Sequence, residues 1–216
     1  MSELVAYYDE NPVEVTGQVE IHQSPMSAAV GSQSQEGVIR AGLVYVRVPS
    51  AAGLLVPFGR YDDWSLRDQY NEAIRIMNTL GAAEITCETF GETTVRRGLR
   101  AKIPGRGAEL TQQRVQDSTF DYRHVGAGSA PRDPRPLRWA DEPGFSAAVS
   151  SVLENGASQV ELNISVNRTH AVDGTLGIQL QKLGFDLGGT TERSATTSLH
   201  IVASFPQARK GWRSLT

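Results

Sequence analysis

The chain has one cysteine, Cys87, among 216 residues, so no disulfide can close within it and any metal site would have to be built from histidine and carboxylate. The histidines do not supply one. His22, His124, His170 and His200 fall in separate segments, with no i, i+4 pair to set two ligands on one helix face, and no resident metal is expected. Long apolar runs are also missing: nothing approaches the roughly 20 residues a membrane span needs. The first ten residues, Met1 to Glu10, carry acid where a secretory signal has a basic start and an apolar centre. The resulting expectation is a cytoplasmic protein of bacterial type.

Catalytic signatures are equally scarce. No Gly-x-Ser-x-Gly elbow occurs, Gly105-Arg106-Gly107 lacks the Lys-Ser/Thr end of a phosphate loop, and Gly188-Gly189-Thr190 reads as a turn. The carboxylate pairs Asp62-Asp63 and Asp141-Glu142 each precede a helical pattern, where capping accounts for them. Cys87 reads as a small core hydrophobe. No catalytic residue and no cofactor are assigned, and the chain is read as non-enzymatic.

What the chain does have is a pattern written twice, 75 residues apart. Trp64 lies on Trp139, Tyr70 on Phe145, Ile74 on Val149, Met77 on Val152, Gly81-Ala82 on Gly156-Ala157, Ile85 on Val160, Cys87 on Leu162 and Thr89 on Ile164. Agreement in both spacing and side-chain size implies one supersecondary unit used twice. In the first copy Leu66, Tyr70, Ala73, Ile74, Met77 and Leu80 recur every three or four residues, which predicts an amphipathic helix of about four turns ended by Gly81. In the second, Pro143 opens a helix whose stripe is Phe145, Val149, Val152 and Leu153, stopped at Gly156.

Strands are expected at 83–90, 94–103 and 110–125 after the first helix, and near 158–169, 174–187 and 192–205 after the second. Earlier β runs cover 13–21, 38–48 and 54–56. The fold predicted is α+β: two helix-plus-antiparallel-meander units sharing one core. Its parts are an N-terminal strand region at 1–60, a first unit at 61–125, a Pro/Gly linker at 126–137, a second unit at 138–206 and a tail at 207–216. The helix-plus-meander is similar in topology to the building unit of sliding DNA clamps, a likeness of fold that implies no activity.

Charge is segregated along the chain. Residues 1–95 hold 5 Lys+Arg against 13 Asp+Glu, whereas residues 96–138 hold 10 against 4. Such a division suits faces that attract one another, within the fold or between subunits. The candidate contact residues are Arg96, Arg97, Arg100 and Lys102 in the strand expected at 94–103, and Arg132, Arg135 and Arg138 in and at the end of the linker. The expected role is an interaction or assembly subunit whose partner is another protein or a second copy.

Three other readings stay open. A cavity between helix and sheet could hold a small hydrophobic ligand, or transform one, against Tyr70, Met77, Phe145 and Phe185. The basic strip could bind nucleic acid or another polyanion, although no aromatic residue interleaves it between 96 and 119. Residues 176–187 could form a one-sided apolar hairpin that enters a bilayer.

Overall fold

The computed structural model describes residues 3–15, 20–48, 53–93, 121–166, 174–189 and 195–206. Four strands, β1 (Glu3–Tyr8), β2 (His22–Pro25), β3 (Val44–Val48) and β4 (Leu54–Pro57), form a sheet of order β2-β1-β3-β4. β2 pairs parallel with β1, and the other neighbours are antiparallel. This sheet is covered on both faces. Ala6, Val44, Val46, Val48 and Val56 pack with Phe58, Leu180, Phe185 and Leu187, while Val5, Tyr7, Leu43, Tyr45 and Leu55 pack with Met26, Ala29 and Ile39.

The second sheet has the order β6-β5-β8-β7, from β5 (Glu84–Thr93), β6 (Tyr122–Val125), β7 (Gln159–Val166) and β8 (Ala195–Ser204), all antiparallel. Helices α1 (Tyr61–Thr79) and α2 (Pro143–Leu153) cover one of its faces. The apolar stripe of α1, Ala73, Ile76, Met77 and Leu80, meets Phe145, Ala148, Val149 and Val152 of α2 over Ile85, Leu162, Leu199 and Ile201. The N-terminal turn of α1 belongs elsewhere: Tyr61 and Trp64 pack on the first sheet. α1 thus spans two apolar clusters, the larger of them lined by residues of both expected units.

Both helices form where their periodicity puts them, and both stop on a glycine with positive φ. At α1, Gly81 (φ 82°) allows a Schellman closure in which Ala82 N–H reaches the Met77 carbonyl at 3.1 Å and Gly81 N–H the Asn78 carbonyl at 3.0 Å. At α2, Pro143 fills the first turn, the Glu142 side chain accepts from Gly144 N–H, and Gly156 (φ 64°) turns the chain. Asp62 and Asp63 lie in the first turn of α1, where they oppose the helix dipole, but the N-cap position is Arg60 and carries no side-chain cap.

The second meander is corrected by the structure. Residues 174–182 form a helix, α3 (Gly174–Lys182), so the second unit runs helix, strand, helix, strand. Leu176, Leu180 and Leu183, spaced by four and three, turn to the core, and Ile178 is left exposed. Phe185 and Leu187 then pack under the first sheet, and Asp186 bridges Leu43. No apolar hairpin is presented to a bilayer by these residues. Among the described residues, no helix is long and apolar enough to cross a membrane.

Two further strand expectations also change. The run 38–48 is a strand only from Val44, after Gly42 at φ 75°. Residues 12–15 carry no regular structure and are held instead by the Gln23 amide, which bonds both the N–H and the carbonyl of Val13 at 2.8 Å.

Candidate interaction surface

The linker proves to be a strap laid antiparallel along α1. Ser129 N–H bonds the Gly81 carbonyl at 3.1 Å and Arg132 N–H the Thr79 carbonyl at 3.0 Å, satisfying acceptors the helix end leaves open. Farther along, the Pro134 carbonyl accepts from Arg75 at 3.0 Å. Arg138 N–H then reaches Glu72 at 2.8 Å, its guanidinium pairs with Asp68, and Trp139 Nε1 donates to Asp68 at 2.8 Å. The Trp139 ring ends the strap against Trp64, centroids 6.2 Å apart, and Trp64 lies against Tyr61 at 6.0 Å. The two tryptophans matched by the repeat therefore touch, although Trp64 is inside α1 and Trp139 in the turn before α2.

Glu72 is the centre of this network. It is fully buried and takes two 2.7 Å bonds from Arg75 as well as the Arg138 amide. Burial pushes its carboxyl up, but the hydrogen bonds and charges of Arg75 and Arg138 outweigh that and hold it below the ordinary glutamate range. Asp68, Glu72, Arg75 and Arg138 are spent on fastening the strap, which is an architectural use of buried charge.

The linker arginines are accordingly engaged inside the chain: Arg138 with Asp68, and Arg135 with Asp133 at 2.8 Å. Arg132 contributes its backbone, and its side chain is exposed. Arg96, Arg97, Arg100 and Lys102 lie outside the described residues. The ligand-cavity residues separate. Met77 and Phe145 are fully buried in the cluster beneath α1 and α2, with Tyr70 packed beside them, whereas Phe185 belongs to the cluster under the first sheet. His124 stands opposite the buried Ile85, and His200 opposite Glu88 on the other face. Among the described residues, no group of three or more His, Cys, Asp and Glu could hold a metal ion.

Cys87 is buried, and loss of solvent, helped by the charges of Glu88 and Asp121, pushes its thiol up to about 12. Only a thiolate reacts with disulfide reagents. The native protein should therefore resist Ellman's reagent at pH 8 and release one equivalent per chain after denaturation in guanidinium; fast labelling of the native protein would contradict this placement.

The second sheet presents a polar surface. The face away from the helices carries Glu84, Glu88, Arg123, Glu161, Asn163 and His200, with Arg123 paired to Glu84 at 3.3 Å and His200 to Glu161 at 3.1 Å. The strand edges differ sharply. β4 is covered by residues 33–35, which exchange hydrogen bonds of 2.8 and 2.9 Å with Leu55. β2 has four residues and ends in Pro25, and β6 has four. β7 has eight residues, contains neither proline nor glycine, and holds an unbroken register with β8. Among the described residues, nothing pairs with its other edge.

The strand expected near 158–169 contains β7, and its residues 167–169 lie outside the described residues; the sequence carries no signal for a position at an edge, because sheet order depends on which distant strand docks beside it. Comparison of the chain with family models, with curated proteins and with solved structures finds no match in any of the three.

Proposed function

We propose that this chain is a non-enzymatic interaction or assembly subunit that engages its partner along β7 and the adjoining outer face of the second sheet. The observation that carries the reading is the long edge of β7, with which nothing among the described residues pairs, since soluble proteins shorten, kink or cover such edges unless a partner completes them. Nearby, Gln159, Glu161 and Asn163 are exposed and unite edge and face in one polar border. The matched order of helix, positive-φ glycine and inward strand, in α1-Gly81-β5 and α2-Gly156-β7, supports reading the two halves as copies of one unit. Full burial of Met77 and Phe145 gives the ligand-cavity reading less support.

Asn163→Pro tests the proposal. The residue stands where β7 turns its amide away from β8, a place where a strand tolerates proline. Gently purified from its own cells, the wild type should elute above the size of one chain, and the variant should elute as one chain with an unchanged circular dichroism spectrum. A complex of undiminished size in the folded variant would refute the assignment of β7.

A further inference from the structure

The partner at β7 can be named from the strand itself, and this step rests on the interaction reading above. We infer that β7 pairs antiparallel with β7 of a second copy across a twofold axis, joining two four-stranded sheets into one of eight. Phe205 N–H bonds the Ser158 carbonyl at 2.8 Å, and amide direction alternates along an antiparallel ladder. Val160, Leu162 and Ile164 therefore direct their backbone groups to β8 and their side chains to the core, while Gln159, Glu161, Asn163 and Ser165 direct their backbone groups to the open edge.

An antiparallel self-pair must set two of these four outward residues opposite each other. Centring the axis on Leu162 places Glu161 opposite Asn163 of the second copy and Gln159 opposite Ser165. No like charges meet, and carboxylate faces amide. The same register sets Val160 beside Ile164 of the second copy on the inner face, so the apolar layer continues across the junction. Centring on Glu161 would instead oppose two carboxylates.

A second observation points to the same place. α2 packs on β7, and from Pro143 to Leu153 it has no charged residue, although Ser146 and Ala147 are exposed. By contrast α1 carries Asp62, Asp63, Arg67, Asp68, Glu72 and Arg75. A surface helix without charge beside a long strand edge is the composition of an interface, and neither feature fits a purely solvated border. A twofold operator brings both copies of α2 to the junction together.

The test uses the purified full-length chain with no other protein present. At about 100 μM, where mass action populates even a weak dimer, light scattering should give twice the chain mass. The Glu161→Cys/Asn163→Cys double variant should then oxidise to covalent dimers, because directly opposed hydrogen-bonded residues lie about 5.5 Å apart between Cα atoms, within disulfide reach. Asn163→Pro should weaken dimerisation at least about tenfold. A single-chain mass for the wild type, or a dimer that neither cross-links nor responds to Asn163→Pro, overturns the inference. If the purified chain is a monomer but forms a complex with a different protein in gentle extracts, self-pairing fails and the interaction reading stands; a monomer in both settings ends both.

Discussion

Replacing Gly81 with alanine should cost about 3 kcal/mol, roughly twice the effect of the same change at Gly156. The left-handed conformation at φ 82° costs an L-residue about 1–2 kcal/mol. An added Cβ would also sit well inside contact distance of the Ser129 carbonyl, a backbone atom held by the strap's bond to Gly81 itself. Overpacking of this kind adds about 1–3 kcal/mol. Gly156, at φ 64°, bears the conformational term without a clash, since nothing lies within 4 Å of its Cβ position. Urea and thermal denaturation of the two variants check the contrast, with a loss of roughly 6–12 °C in Tm expected for Gly81→Ala. Equal losses would mean that the strap does not press on the α1 terminus.

Glu72→Gln should destabilise by about 2–4 kcal/mol. Removing one member of a fully buried ion pair typically costs 3–5 kcal/mol. Here Arg75 and Arg138 keep about 40% side-chain exposure, so water recovers part of their solvation and the loss is smaller. The effect depends on pH with a definite sign. A carboxyl whose folded pKa lies below its ordinary value of 4.5 stabilises fully above that value and loses the contribution as pH falls through the folded pKa. The gap between wild type and variant should therefore be constant from pH 6 to 8 and narrow below about pH 4.5. A gap that widens on acidification would show that Glu72 is not held ionised by Arg75 and Arg138.

Elements with one wet side were legible by their alternation, and β3 and β4 by apolar, β-branched runs alone. α1, α2 and β8 each alternate core and solvent at their own period, and Leu199, Ile201, Ala203 and Phe205 are buried while Ser198, His200, Val202 and Ser204 are less so. β1 was missed for the opposite reason. Its Val5, Ala6 and Tyr7 are all buried because the first sheet is covered on both faces, and a strand without a wet side has no alternation to read. α3 was misread because Leu176, Ile178 and Leu180 satisfy period two as well as Leu176, Leu180 and Leu183 satisfy a helix, and only packing decides that Ile178 is surplus.

The strap was the largest gap. A Pro/Gly composition at 126–137 marks a connection, but composition alone does not say what the connection runs along. That is fixed by Asp68 and Glu72, one helical turn apart on α1, at a sequence distance of about 70 residues from Arg138 and Trp139. The same long-range docking sets the order of the second sheet and leaves β7 at its edge.

The most direct test of the interaction role is the native mass spectrum of the wild-type chain, gently purified from its own cells. A species of two chains is expected, with single chains appearing on dilution. A spectrum holding only single chains, with no second copy and no other protein, would contradict it.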